Sequence, residues 1–220
     1  MTSWSSYSHY PNVVYAPHIY TRVHTPGTFP MDGGFKSAIS DASHLGLPLW
    51  IGEFGDDPST DNTILRAMYQ LQDQYDLGGT MWLWKENHND LNPSVYKGVY
   101  GPPFGRGVPQ PSRIKFTSRA YPLFLAGRLQ AFSYDPDSHV FELRATSARV
   151  RFGRRSQATV IFVPRACRWR ARVSGARVEI YSRDYARELY LYPTGGPYSI
   201  SLAPQPAHRK RPRRPRRSSR

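Results

Sequence analysis

Cysteine is nearly absent from this 220-residue chain, and the single Cys167 excludes an intrachain disulfide or a multi-cysteine zinc site. Its expected role is that of a small buried hydrophobe. No apolar run reaches the roughly 18 residues of a membrane-spanning helix. The opening Met1-Thr2-Ser3-Trp4-Ser5-Ser6-Tyr7 lacks the charged and apolar regions of a signal peptide, so neither a span nor a leader is expected. The acids and histidines show no metal-ligand spacing and there is no glycine-rich phosphate loop, which leaves no cofactor and no metal implied.

Acidic residues are also scarce, 16 against 30 Lys and Arg, for a formal charge of +14. The imbalance is uneven. Residues 1–111 carry 6 basic and 10 acidic side chains, residues 112–203 carry 16 and 6, and residues 204–220 carry 8 and none. These boundaries suggest a mildly acidic domain, a basic domain and a tail. The tail run His208-Arg209-Lys210-Arg211-Pro212-Arg213-Arg214-Pro215-Arg216-Arg217 cannot build a core and is expected to be a disordered, solvated segment. Residues 208–220 could give weak, salt-sensitive contact with an anionic surface. No base-reading motif accompanies them, so no specific nucleic-acid partner is expected.

Between Asn12 and Lys85 the pattern alternates strand and helix, which argues for parallel βα units. The expected strands are Val13–Tyr20, Leu47–Phe54 and Thr80–Trp84. The expected helices are Gly34–Leu45 and Thr63–Tyr75, the second capped by Asp61 and stopped by Gly78-Gly79. Residues 92–112 are dense in proline and glycine and read as an irregular connection. Beyond Tyr121-Pro122, seven short alternating segments separated by turns suggest an antiparallel β-sandwich. They are Leu129–Tyr134, Val140–Ala145, Ala158–Val163, Trp169–Ser174, Ala176–Tyr181, Leu189–Tyr192 and Tyr198–Leu202. Arginines at alternate positions, as in Trp169-Arg170-Ala171-Arg172-Val173, fit a solvated face.

Glu53 ends the apolar run Leu49-Trp50-Ile51-Gly52-Glu53-Phe54-Gly55 and is its only acid. Strands with large apolar residues throughout need both faces covered, as in a parallel barrel, and a charge at the C-terminal end then points to the mouth where barrel enzymes keep their chemistry. Gly52 and Gly55 suggest room for a ligand to approach the backbone. His18 and Tyr20 are two apart on the first strand and Trp82 and Trp84 two apart on the third, so each pair is expected on one face. An imidazole, a phenol, a carboxylate and an indole around one cleft match what glycoside cleavage needs. Blander readings exist: Glu53 as a helix cap, His18 as a hydrogen-bonded strand residue, either tryptophan as core packing.

Three runs in this order, Tyr15-Ala16-Pro17-His18-Ile19-Tyr20, Trp50-Ile51-Gly52-Glu53-Phe54-Gly55 and Trp82-Leu83-Trp84, resemble the sixth, seventh and eighth strands of family 5 glycoside hydrolases. The region from Tyr121-Pro122, with Phe132-Ser133-Tyr134-Asp135-Pro136 and Ile161-Phe162-Val163-Pro164, is similar to the C-terminal β domain of the endoglycoceramidase branch. The resemblance implies a partial TIM (β/α)8 barrel over 1–111, a β-sandwich over 112–203 and a retaining glycosidase acting on a glycan or glycolipid. Glu53 would be the nucleophile, with Tyr20 bonded to it and His18 near the second carboxyl or the sugar. Trp82, Trp84 and Lys85 would contact substrate. In this family the acid/base carboxyl follows an Asn on the fourth strand, and strands one to five would precede residue 10. Asp56, Asp57 and Glu86 match no part of that motif. The expectation is therefore the C-terminal portion of a longer enzyme, inactive alone, or a half that associates with a separately made N-terminal half.

Three rivals accompany this reading. One is a relative that cuts β-glucan or mannan. Another is a non-catalytic glycan- or lipid-surface-binding module built on the basic sandwich. The last is a nucleic-acid binder acting through its tail.

Overall fold

The computed structural model describes residues 10–20, 31–55, 62–84, 100–101, 108–164, 168–184 and 186–205. Cys167, Lys85, Asp56, Asp57, Asp61, Glu86 and tail residues 206–220 lie outside them. The α/β region comprises β1 (His18–Ile19), α1 (Met31–Leu45), β2 (Ile51–Phe54), α2 (Thr63–Tyr75) and β3 (Gly79–Met81). The strands form a parallel sheet with β2 in the centre. A short antiparallel pair follows, β4 (Tyr100–Gly101) with β5 (Val108–Pro109), and then helix α3 (Pro111–Thr117).

The helices arise where the apolar spacing is three to four. In α1, Phe35, Ala38 and Ala42 are buried, and in α2, Leu65, Met68 and Gln72 are buried, each set forming one stripe. Asp32 pairs with Lys36 one turn on, at 2.5 Å. Helix α2 ends at Tyr75, the expected last residue, and its stop begins at Asp76, which takes the left-handed conformation at φ 55° and bonds its N–H back to the Gln72 carbonyl. Its N-terminal flanking residue is Asn62, which makes no side-chain capping bond.

One face of the parallel sheet carries the core. Ile19, Ile51 and Phe54 meet Phe35 and Ala38 of α1, Leu65 and Met68 of α2, and Phe116 of α3. The Phe54 ring meets Tyr69 edge-on at 5.3 Å. The opposite face carries His18, Tyr20 and Glu53, and among the described residues no helix contributes to a core there. Burial of β2 on both faces, expected from its apolar sequence, is thus observed on one. The strands are also shorter than expected. Only an isolated bridge from Tyr15 to Leu49 extends the first pairing toward the N-terminus. The third strand stops at Met81, short of Trp82 and Trp84, and the Trp82–Leu83 peptide is cis.

The described residues of the β region form eight strands, one more than expected. They are β6 (Tyr121–Phe124), β7 (Arg128–Tyr134), β8 (Phe141–Ser147), β9 (Thr159–Pro164), β10 (Trp169–Ser174), β11 (Ala176–Ser182), β12 (Ala186–Pro193) and β13 (Gly196–Pro204). They make two antiparallel four-stranded sheets, ordered β10-β13-β8-β7 and β11-β12-β9-β6. Strict alternation explains the core. In β8, Phe141, Leu143 and Ala145 are buried while Glu142 and Arg144 face outward. Tyr198, Ile200 and Leu202 join them from β13, and Ile161, Val163, Leu189 and Leu191 come from the other sheet. A closed polar circuit ties the layers: Ala126 N–H donates to Thr159 Oγ1 at 2.7 Å, Thr159 bonds Tyr198 at 2.6 Å, and Tyr198 donates to the Ala126 carbonyl at 2.7 Å. Tyr121-Pro122, which sequence reading places at the start of this region, is itself strand β6.

The change of core falls between Phe116, packed in the α/β region, and Ala120, packed in the sandwich. Arg119 bridges the two. Its guanidinium pairs with Asp73 on α2, both side chains being almost wholly buried, and lies 5.2 Å from the ring centres of Tyr69 and Tyr134. Burial pushes the Asp73 carboxyl up to about 6, against the opposing pull of Arg119. Nearby, Arg66 of α2 and Lys115 of α3 both reach Asp137 in the β7–β8 turn, at 2.6 and 2.8 Å. That turn is shaped by Asp135, whose carboxylate accepts from Asp137 N–H at 3.0 Å and Ser138 Oγ at 2.6 Å.

Candidate active site

His18 and Glu53 are register partners on adjacent parallel strands, so their Cα atoms sit side by side. Strand alternation sends Ile19 and Phe54 into the core, 7% and 1% exposed, and turns their neighbours to the opposite face. Tyr20 follows at the end of β1, and its phenolic O–H donates to Glu53 Oε1 in a short hydrogen bond. The His18 Nδ1 atom lies 3.7 Å from the same oxygen. Glu53 is partly exposed, 26% for its side chain, and His18 more so, 59%. Among the described residues Tyr20 and His18 are the polar partners of Glu53, and Oε2 accepts no hydrogen bond. A carboxylate with one oxygen held by a phenol and the other presented to the open face is oriented to react or to bind.

The flanking glycines have a cause in the backbone around them. A Cβ at Gly52 would stand 2.6 Å from the Ala16 carbonyl oxygen, and one at Gly55 would stand 2.3 Å from the Trp82 carbonyl oxygen. Both are required by neighbouring backbone. Gly52 N–H also donates to the Pro17 carbonyl at 2.9 Å, which locks the two strand ends together below the site.

Trp82 reaches the site through its main chain: its N–H donates to the Phe54 carbonyl at 2.6 Å, one residue past Glu53. Its side chain is 44% exposed and that of Trp84 is 61% exposed. Because β3 ends at Met81, the two-residue alternation expected to place both indoles on one face has no strand to act on. Trp50, part of the apolar run before Glu53, reaches across to β3 and the residue before it. Its indole N–H bonds Thr80 Oγ1 at 3.1 Å, and its ring lies so close over Gly78 that a Cβ there would come within 2.2 Å. The glycine two residues before Thr80 is the one sequence signal of that crossing. Among the described residues no group of His, Cys, Asp and Glu side chains could hold a metal ion.

The fold thus joins a parallel α/β sheet, with a carboxylate at the C-terminal end of its central strand, to an antiparallel β domain. Two family models match the chain: Cellulase (glycosyl hydrolase family 5) over residues 3–88, and the glycoside hydrolase family 5 C-terminal domain over residues 119–197. Both models are of glycoside hydrolase family 5, and together they match most of the chain. Its fold is the barrel-related fold of that family with the C-terminal β domain.

No curated protein sequence matches it significantly. Among solved structures, an endogalactoceramidase matches 90% of this chain with 44% of its own length, at 22% identity and TM-score 0.66. Endo-glycoceramidase II from Rhodococcus sp. matches 80% of this chain with 38% of its own, at 20% identity and TM-score 0.57. Sterylglucosidase 1 from Cryptococcus neoformans matches 80% with 31%, at 15% identity and TM-score 0.58. The chain therefore spans less than half the length of each of these structures.

Proposed function

We propose that this chain supplies the nucleophile side of a retaining glycoside hydrolase that cleaves an O-glycosyl bond of a glycolipid. In this reading β1, β2 and β3 are the sixth to eighth strands of a (β/α)8 barrel, within residues 1–111, and residues 112–203 are the appended β domain. The orientation of Glu53, one oxygen bonded to Tyr20 and the other open, carries the reading. Glu53 Oε2 attacks the anomeric carbon, the bond from that carbon to the aglycone oxygen breaks, and a glycosyl ester forms. Water then attacks the same carbon and returns the carboxylate. His18 contacts the second carboxyl or the sugar, and Trp82, Trp84 and Lys85 contact the substrate.

The retaining route needs a second carboxyl about 5 Å away to protonate the leaving oxygen. No described acid pairs with Glu53. The described residues alone thus lack a general acid, a loss of roughly 100-fold to 10,000-fold. An associating segment carrying that carboxyl would restore turnover. The lipid-linked substrate is supported by the names of the similar structures, two ceramide-directed and one steryl-directed.

The test uses a 2-deoxy-2-fluoro-β-lactosyl fluoride, whose leaving group departs without protonation and whose glycosyl ester is slow to hydrolyse. Mass spectrometry should find one added glycosyl group on the peptide containing Glu53, and none in the Glu53→Gln variant. No adduct, or an adduct on another residue, overturns the assignment. Hydrolysis of a natural glycosphingolipid by this chain alone would overturn the claim that the general acid lies elsewhere.

A further inference from the structure

Far along the chain from Glu53, the loop after β8 reads Arg149-Val150-Arg151-Phe152-Gly153-Arg154-Arg155, with four arginines in seven residues and no acid. It is anchored: Val150 N–H donates to the Pro193 carbonyl at 2.8 Å, Arg154 N–H to the Arg151 carbonyl at 3.1 Å and Arg155 N–H to the Gly153 carbonyl at 3.0 Å. Gly153 at φ 85° makes the turn possible. At its tip Phe152 is 44% exposed. Its ring meets Tyr192 at 4.9 Å and lies under the Arg177 guanidinium at 4.1 Å.

Arg149, Arg151, Phe152, Arg177 and Tyr192 line a cavity of about 490 Å³ on the outer face of the β11-β12-β9-β6 sheet. The nearest carboxylate on that face, Glu179, is already taken by Arg155 at 2.5 Å and by the Tyr192 hydroxyl at 2.7 Å. Arg149, Arg151, Arg154 and Arg177 make no ion pair among the described residues.

We propose that this loop and cavity dock the β domain on an anionic lipid surface, the arginines engaging lipid phosphates and Phe152 entering the interfacial layer. Guanidinium groups bind phosphate oxygens in pairs, and a cluster lacking acidic partners has no competing internal ligand. An aromatic at the tip of a basic loop suits the boundary between head groups and acyl chains. A nucleic acid fits less well. Base stacking needs an open ring face, and Arg177 already covers one face of Phe152. The proposal does not rest on the role of Glu53, because vesicle binding requires no hydrolysis.

The full-length chain is sedimented with phosphatidylcholine vesicles with and without phosphatidylglycerol. Binding to the anionic vesicles and not to the neutral ones is expected. Replacing Arg149 and Arg151 together by Gln should weaken it about 25-fold, taking about fivefold for each arginine near a charged surface. Phe152→Ser should weaken it about tenfold, and the loss should persist at high salt, where charge attraction is screened. All three side chains are exposed, so circular dichroism should show the fold unchanged.

A double variant of tail residues Arg213 and Arg214 to Gln removes the same charge elsewhere and should cost less. Equal binding by the loop variants and the unsubstituted chain overturns the proposal, as does a tail variant that loses as much as the loop variant. Loss of duplex DNA binding in the loop variants with vesicle binding intact would assign the cluster to nucleic acid and overturn it too.

Discussion

In the β domain, Phe141, Ile161, Leu191 and Ile200 meet from two sheets and none is more than 1% exposed. In the α/β region Ile51 and Phe54 are equally buried, yet on only one face of their sheet, whose other face carries Glu53 and the exposed His18. A sandwich closes itself because each sheet is the other's second layer. A three-stranded parallel sheet has only its helices, which cover one side. Glu53, Tyr20 and His18 sit on the side that no described helix covers, and the closed region carries a basic outer face.

The strongest way to break the comparison is to cut the link between the regions. Arg119→Ala leaves Asp73 buried without its partner, and about 3–5 kcal/mol of stability should be lost in denaturant unfolding. The single transition should separate into two, the α/β region unfolding first. A cost below about 1 kcal/mol would show that the regions are held together by other contacts.

Gly55→Ala should then act on one region only. Its new Cβ would meet the Trp82 carbonyl, so about 2 kcal/mol should be lost in the α/β region with the sandwich unaffected. Labelling of Glu53 should fall with it, because Trp82 and Phe54 hold the strand end that positions the carboxylate. Unchanged stability would mean that the segment after β3 gives way freely.

The smallest effect is a pH dependence at the junction. Folded Asp73 keeps its proton up to about pH 6, whereas the unfolded carboxyl releases it near its ordinary 3.8. Protons therefore bind preferentially to the folded chain in that window, and this contribution to stability declines as pH rises through about 6. Relative to Asp73→Asn, the unsubstituted chain should gain roughly 1 kcal/mol between pH 7 and pH 5 in thermal or denaturant melts. A difference that stays flat over this range would show that Arg119 holds Asp73 ionised throughout.

Much of this arrangement was legible in local pattern. Helix α2 occupies Thr63–Tyr75 as its apolar spacing indicates, and β10 occupies Trp169–Ser174. The sandwich strands were readable because each buries alternate side chains and ends at a turn with its own chemistry, as at Asp135-Pro136-Asp137-Ser138. Strand β6 was hidden because Pro122 and the exposed Leu123 and Phe124 break that alternation. The lengths of β1 and β3 were not readable either, since pairing partners decide where a parallel strand ends.

The candidate site shows the same division. Period-two spacing put His18 and Tyr20 on one face, and the order of motifs put Glu53 at a strand end. Whether the phenol would reach Glu53, and which oxygen it would take, depended on the register of β1 against β2. The reason for Gly52 and Gly55 was invisible for the same cause, because the atoms they make room for belong to residues 36 and 27 positions away.

By itself the amino-acid order determined the two kinds of region, the resemblance to family 5 and the place of Glu53 at a strand end, since these depend on periodicity and on short motifs. Tertiary structure alone decided that Arg119 is buried against Asp73, that the loop arginines gather around Phe152, and that the described helices cover only one face of the parallel sheet. Each of those outcomes depends on residues brought together from distant parts of the chain, and charge pairing and burial act through space.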